Sequence, residues 1–399
     1  MKNIQNSSTA NSHNPEESLI QVVVFSKDRP LQLDATIRSL LHHCKDVDNI
    51  NIKVIWTASN PEIGSLYKTV NSDFPQSYFI QEQSFRNDVF DAIGKAPLVF
   101  FLVDDNIFTG DFCTADIIKA LDENSNCLGF SLRLGTNTTY CYMLNHHQNI
   151  PPMTQISDTV YKFSWKDAEF DFNYPLELSS SIYRTNEILP LLRSLNFFNP
   201  NTLEFEMSKK VEQYKEKQGQ LLSFNLSVTF CAPMNKVQKI VLGNRMAGRV
   251  DYSPENLVHL YKQGMRIDVD SYSGFIPFAC HQEVDFKLIP AQLEKPISNG
   301  IDEGIAITQP IKEQSSGFES PEQKLKNAEL EYNELMLNMV QLKEKVTMYD
   351  HLEREMTETE LKELQDEMLQ LTSQEKELTA KILAIMKDMG TINPSTSNN

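Results

Sequence analysis

The stretch Pro97-Leu98-Val99-Phe100-Phe101-Leu102-Val103-Asp104-Asp105-Asn106-Ile107 constrains this chain more than any other. An apolar run of strand length, rich in β-branched and aromatic residues, suits a strand covered on both faces, the condition of a central strand in an α/β sheet. It breaks abruptly into two carboxylates and an amide. At the carboxyl end of such a strand, where open α/β sheets bind ligands, these groups have to be solvated, paired or bound to a cation, because bare burial is costly. A hard oxygen-liganded ion, Mn²⁺ or Mg²⁺, matches the donor set, and such ions commonly arrive with phosphate. A solvated turn that uses Asp and Asn as turn formers is the plainer alternative.

The flanking pattern says how that strand is embedded. Strands over 19–25, 52–56 and 78–80 alternate with helices over 31–44, 62–70 and 85–93, the first helix following Pro30, which suits a first helical turn. Such alternation predicts an α/β fold with a mostly parallel, Rossmann-like sheet flanked by helices on both faces. Further on, the spacing predicts a helix over 112–121, strands over 127–132 and 160–165, and a helix over 186–195. Asn199-Pro200-Asn201-Thr202 then caps a helix over 204–218. A helix over 254–263 and a strand-like 279–283 close this region.

The remainder reads differently. Residues 1–18 are Asn/Ser-rich without apolar periodicity and are expected to be a disordered leader. Residues 290–321 carry Pro, Gly, Ser and Glu without a period, as a flexible linker does. Residues 322–390 are built almost wholly of helix formers, with one heptad seam through Leu325, Ala328, Tyr332 and Leu335 and a second through Leu361, Leu364, Met368, Leu371 and Leu378. The seams are offset, so the register skips or the chain folds back near 354–360. A single straight helix would be on the order of 100 Å long at about 1.5 Å per residue. The expectation is a long coiled coil that self-associates to bury its seam, followed by a disordered tail over 391–399.

Net charge is −17, with much of the acidic excess beyond about residue 280, and no basic block points to nucleic acid. Six cysteines show no Cys-x-x-Cys spacing and read as reduced thiols. No apolar run approaches the roughly 20 residues that span a bilayer, and no signal pattern opens the chain. A cytoplasmic location follows as the expectation, compatible with peripheral attachment at the inner face of a membrane.

Several pieces of 19–289 recur in the order seen in GT-A fold, nucleotide-sugar-dependent glycosyltransferases, which this region resembles. The first strand running into Ser26-Lys27-Asp28-Arg29-Pro30 is similar to the family's nucleotide-contacting turn. Arg86-Asn87, with Ala92 and Gly94, resembles the helix ahead of the metal motif, and Asp104-Asp105-Asn106 resembles the metal-binding Asp-x-Asp strand end. The resemblance implies a donor site at Ser26, Lys27, Asp28, Arg29, Arg86, Asn87, Asp104 and Asp105. It implies a divalent ion on Asp104, Asn106 and a late histidine, His281. It places a small-residue acceptor loop at Ser179, Ser180, Ser181 and Arg184, with Trp165 able to stack on a sugar. Glu204, with Glu206 in reserve, falls where inverting members carry their base.

Asn106 departs from the usual Asp, which removes a formal charge from the metal site, and the second strand ends in Ser59-Asn60 where many relatives offer an Asp to the nucleobase. The expected function is transfer of a sugar from a nucleotide diphosphate sugar to a glycan or other hydroxyl acceptor, metal-assisted and inverting, by an enzyme oligomerised through its coiled coil. A non-catalytic nucleotide- or glycan-binding scaffold is the alternative. A nucleotidyltransferase is disfavoured because no Gly-rich phosphate loop follows the first strand.

Overall fold

A computed structural model describes residues 18–235, 250–291 and 358–388, with isolated helical positions at 324, 327, 328, 331 and 335. The expected leader apart from Ser18, the linker beyond Ala291 and the tail lie outside the described residues. Two compact units divide the chain, the first reaching Ile289 and the second beginning at Pro290.

In the first unit the strands are β1 (Ile20–Lys27), β2 (Ile50–Thr57), β3 (Ser77–Gln81), β4 (Leu98–Val103), β5 (Asn106–Phe108), β6 (Cys127–Ser131), β7 (Tyr140–Cys141), β8 (His146–His147), β9 (Met153–Gln155), β10 (Val160–Ser164), β11 (Ser181–Arg184), β12 (Gln220–Phe224), β13 (Thr229–Cys231), β14 (Met265–Ile267) and β15 (Leu288–Pro290). The helices are α1 (Pro30–His43), α2 (Pro61–Asp73), α3 (Phe85–Ile93), α4 (Thr114–Glu123), α5 (Thr185–Ser194), α6 (Pro200–Ser208) and α7 (Pro254–Lys262). Nine strands form one sheet in the order β3-β2-β1-β4-β11-β6-β12-β10-β9. The β3-β2-β1-β4 half is parallel, as the alternation predicts. The other half is mixed: β11 enters between β4 and β6 antiparallel to both, and β10 runs against β12 and β9.

Side-chain alternation along β4 explains why its sequence is apolar throughout. Leu98, Phe100 and Leu102 belong to one core, shared with α1, α2, α4 and α7. Val99 and Phe101 belong to the other, shared with α3, α5 and α6. The sheet is thus the middle of three layers. Gly94 ends α3 at φ 63, a left-handed conformation that costs a residue without a Cβ little. All six cysteines are free and five are buried.

Two elements differ from expectation. Helix α6 starts earlier and ends at Ser208, because Asn199 and Thr202 form a reciprocal cap around Pro200; a short 3₁₀ turn at Val211–Tyr214 follows. The strand-like 279–283 is present only as bridges, Ala279 with Tyr140 and His281 with Cys231.

In the second unit, Glu358–Asp388 is a helix, α8. Lys381 Nζ lies 2.7 Å from Glu331 Oε2. In a straight helix those residues would be about 75 Å apart at roughly 1.5 Å per residue, so the two positions do not lie on one straight helix. The seam positions Ala328, Leu335 and Leu371 are buried and Leu378 is half-buried, while Leu369, off the seam, is 72% exposed.

Cysteines placed at Glu331 and Lys381 should therefore be joined by a short bifunctional crosslinker within one chain, seen as a faster-migrating monomer on a denaturing gel; crosslinks only between chains would contradict the intrachain pairing of these positions. A Cβ on Gly129 would lie 2.8 Å from the Ile182 carbonyl oxygen on the neighbouring strand. Gly129→Ala should cost about 1–3 kcal/mol in urea unfolding.

Candidate functional site

The carboxyl ends of the parallel strands lie level, because Phe25 pairs with Val103, Lys27 with Thr57 and Trp56 with Gln81. The chain leaves β4 at Asp104 and Asp105 directly beside the Ser26–Arg29 turn that leaves β1. Asp104 accepts from Ser26 Oγ at 2.8 Å, the Lys27 amide at 3.2 Å and Arg29 Nη1 at 3.0 Å. The same Nη1 donates to Asp105 Oδ2 at 3.3 Å, and Nη2 donates to the Asn235 carbonyl at 2.6 Å. The buried Tyr67 hydroxyl completes the turn, 2.8 Å from Ser26 Oγ and accepting from the Arg29 amide at 3.1 Å. One guanidinium thus serves two carboxylates. Burial pushes the Asp105 carboxyl above its ordinary range, with Asp104 adding to the push and Arg29 opposing it.

Asp28 and Asn106 have inward roles. Asp28 sits at φ 55, which Asp tolerates, and its buried carboxylate accepts the Ser59 amide at 2.6 Å, tying the β1 turn to the end of β2. Asn106 is wholly buried; its Oδ1 accepts the Val103 amide at 3.1 Å and its Nδ2 donates to the Ser179 carbonyl at 2.7 Å. Its side chain therefore joins the β4 turn to the Ser179–Ser181 segment and does not face Asp104 as a ligand would. Lys27 is exposed.

Beyond Asn106 lies a second, buried cluster that includes residues the sequence reading passed over. Arg133, just past β6, donates to Ser179 Oγ at 3.0 Å, and its Nε is 3.7 Å from Glu177 Oε1. Glu177 accepts from the Ser179 amide and hydroxyl. Ser180 and Ser181 are buried with it, and Ser180 takes φ 151. Glu204, on α6, faces this cluster: burial first, then Glu177, push its carboxyl up to about 7, against Arg133, a Tyr174 hydrogen bond and the Leu178 backbone. Glu206 instead pairs with Lys209 at 2.8 Å on the same helix. His281 pairs backbone with Cys231, itself opposite Asn106. Burial and Arg133 lower its pKa to about 3, so the ring is neutral, and its Nδ1 is sealed with no hydrogen-bond partner among the described residues.

Three residues expected at the site are engaged elsewhere. Because β11 is antiparallel to β4, Arg184 stands opposite Leu98, at the far end from Asp104. There it donates to the Cys127, Leu121 and Asn124 carbonyls and closes the end of α4. Arg86 donates to the Leu195 and Arg193 carbonyls and lies over Phe90 and Phe197, fixing the end of α5 to α3. Trp165 is 1% exposed, with Nε1 donating to the Gln218 carbonyl at 2.8 Å, and is core. Asn87 is exposed on α3. Arg133 and Glu177 each had a signal: an arginine directly after a buried strand and a lone acid in Tyr174-Pro175-Leu176-Glu177-Leu178 both require a buried partner.

Among the described residues no group of three or more His, Cys, Asp or Glu side chains is arranged to hold a metal ion. Among the described residues at this turn, the oxygen donors that fit a divalent ion are those of Asp104 and Asp105. That matches the magnesium-type site in which one or two carboxylates are completed by substrate phosphate and water. Asn106 and His281 do not fit as ligands.

No protein-family model matches the chain. Over 254 residues it is 31% identical to the bifunctional glycosyltransferase pgtA of Dictyostelium discoideum, a match covering 56% of this chain and 33% of that protein; the chain thus spans about a third of this relative's length. Among solved structures it is similar to S. aureus TarS, at 14% identity and a TM-score of 0.33, over 51% of this chain and 34% of that one. It is also similar to the mannosyltransferase PcManGT from Pyrobaculum calidifontis, solved in complex with GDP-Man and Mn²⁺, at 7% identity and a TM-score of 0.33, over 94% and 76% of the two chains.

Removing the shared guanidinium leaves two neighbouring, mostly buried carboxylates unpaired. Arg29→Met should cost about 3–5 kcal/mol in denaturant unfolding at pH 8. The cost should be clearly smaller at pH 5, because Asp105, whose folded pKa is already raised, takes up a proton there; equal costs at both pH values would contradict the ion-pair account.

Proposed function

We propose that the first unit is a glycosyltransferase that binds a nucleotide diphosphate sugar at the Ser26–Arg29 turn and the Asp104–Asp105 pair and transfers the sugar to a hydroxyl acceptor with inversion. The observation that carries this reading is Glu204, a carboxyl held near neutrality by a buried cluster that is continuous, through Ser179 and Asn106, with the Asp104 turn. A base needs a pKa close to working pH and a place within reach of the proton it removes.

In the proposed reaction the Glu204 carboxylate takes the acceptor's hydroxyl proton and the resulting oxygen forms a bond to the anomeric carbon. The bond from that carbon to the diphosphate oxygen breaks, and the nucleoside diphosphate leaves with the electron pair. Arg29 lies against the carboxylates where the diphosphate would sit and supplies fixed positive charge for the leaving group. A divalent ion held by Asp104 and Asp105 together with the diphosphate would neutralise further charge there.

Glu82 bears on the donor. It follows β3 at the same sheet end as Ser26 and Thr57, and burial, with Asp88 adding, raises its carboxyl to about 7, against Lys27. The β2 end offers no such group, since the Ser59 amide is bound by Asp28 and the Asn60 side chain caps α2 at the Ile63 amide. A carboxyl beside a nucleobase accepts from ring N–H groups, present in uracil and guanine and absent at N3 of cytosine. UDP or GDP donors are therefore proposed over CMP donors. The second unit is proposed to self-associate through its heptad seams, so that linked sites engage a repetitive acceptor together. No helix among the described residues is long and apolar enough to cross a membrane.

The second reading, a non-catalytic binding scaffold, is favoured by one observation: Asn106 is buried and turned away from Asp104. Turnover separates the two. With a panel of UDP- and GDP-sugars, wild-type protein should release nucleoside diphosphate in the presence of acceptor. Glu204→Gln should lose about 10²–10⁴-fold in kcat. Because the Glu204 pKa is raised and its base form is the ionised one, kcat/KM should fall about tenfold per pH unit below about pH 7 and level off above. No turnover of any donor, or full activity in Glu204→Gln, would overturn the proposal.

A further inference from the structure

The carboxyl end of α1 gathers titratable groups that the proposed sugar transfer does not use. The helix runs from Pro30, next to Arg29, to His43, about 20 Å at roughly 1.5 Å per residue, so this cluster is well separated from the Ser26–Arg29 turn. His43 is buried, and its Nδ1 lies 2.8 Å from Oδ1 of Asp111, in the loop after β5. Its Nε2 lies 3.3 Å from Oγ of Ser273, which ends the 3₁₀ turn Val269–Tyr272. Lys45 Nζ is 2.8 Å from the same Asp111 oxygen, and His42, edge-on to the His43 ring, has its Nδ1 3.7 Å from Asp270. Hydrogen bonds from Lys45 and His43 hold the Asp111 carboxyl below its ordinary range, so it is ionised and can only accept. The His43 proton therefore sits on Nδ1, and Nε2 is left to accept the Ser273 hydroxyl. Burial, with His42 adding, lowers the His43 pKa against Asp111, which keeps the ring a neutral base. Ser273 itself is exposed, and a Cβ on the next residue, Gly274, would meet nothing within 4 Å among the described residues, so a ligand has room to reach the hydroxyl.

We propose that Ser273, His43 and Asp111 form a nucleophilic site that takes an acyl group from an activated ester or thioester, an activity separate from sugar transfer. An open hydroxyl on a sheltered imidazole, itself oriented by a carboxylate, is the arrangement that activates serine. In the proposed step the Ser273 oxygen forms a bond to the acyl carbon and its proton passes to His43 Nε2. The bond from the acyl carbon to the leaving oxygen or sulfur breaks, the electron pair goes to that atom, and His43 returns the proton to it. Asp111 faces the imidazolium that forms in between. The Ser273, Gly274 and Phe275 amides are bonded to the Asp270, Thr109 and Tyr272 carbonyls, so none of these three serves an oxyanion. That restricts the site to donors with good leaving groups, and it makes the acyl-serine long-lived, because attack by water meets the same want of oxyanion donors. The proposal stands independently of the transferase reading.

The test treats the full chain with p-nitrophenyl acetate, following p-nitrophenolate release by absorbance and the acetylated residue by peptide mass spectrometry. A burst of one equivalent per chain should appear, with the acetyl group on Ser273. Ser273→Ala should lose the burst, and His43→Gln should slow it about 10²–10⁴-fold. Asp111→Asn should slow it tenfold or more; because the Asp111 side chain is 60% exposed, this variant decides the matter alone if His43→Gln fails to fold by circular dichroism. A role for these bonds in holding the turn to α1, and nothing more, leaves Ser273 unacetylated. Acetyl found only on lysine and histidine side chains, a burst that persists in Ser273→Ala, a rate unchanged in Asp111→Asn, or equal acetylation of Ser273 in native and urea-unfolded chain overturns the proposal.

Discussion

The bridge from Arg29 to Asp104 and Asp105 is the contact on which the first unit is organised. Strand β4 delivers two carboxylates to the end of a sheet whose interior has no water to solvate them, and β1 delivers the one guanidinium that answers both. The in-register pairing of β1 with β4 makes this possible, since it sets the two strand ends level. Everything nearby holds that geometry: Tyr67 fixes the Ser26–Arg29 turn, Asp28 ties it to β2, and Asn106 anchors the opposite side to Ser179. The pair remains one negative charge in excess, which suits a site that receives a cation or the cationic edge of a ligand.

The second cluster follows a different logic. Arg133, Glu177 and Glu204 bring one positive and two acidic groups together under cover, and the excess acid is relieved by raising the Glu204 pKa to about 7. A fold optimised for stability alone would place an apolar residue there. A chain that keeps a proton-accepting carboxyl beside a buried arginine gives up stability for a group that changes protonation near neutral pH, a pattern common at catalytic sites.

How much was legible in the sequence depended on the range of the contact. Local patterns fixed β1 to β4, their helices and the placement of Asp104 and Asp105 at a strand end, because a fully covered strand has to be apolar along its length. Strand direction was not legible: nothing in Ser181-Ile182-Tyr183-Arg184 says that the segment runs against its neighbours, yet that reversal alone removes Arg184 from the site and leaves Ser179 in it. Arg86 and Trp165 look like ligand contacts by type and turn out to cap a helix and fill a core, through partners more than 50 residues away. The Arg133–Glu177 contact joins a strand end to a loop and leaves only the weaker sign of lone charges in apolar runs. In the second unit the heptad offset lies largely outside the described residues, and the Glu331–Lys381 ion pair shows only that those two positions do not share one straight helix.

We propose that the Arg29–Asp104–Asp105 cluster is a nucleotide diphosphate site. Isothermal calorimetry of UDP, GDP and CMP, with and without Mn²⁺, on wild type and Asp104→Asn tests it most directly. UDP or GDP should bind more tightly with Mn²⁺ present, CMP should bind least, and Asp104→Asn should abolish the metal-dependent part while the protein stays folded. Absence of nucleotide binding to the folded wild-type protein, or binding indifferent to Asp104→Asn, would contradict it.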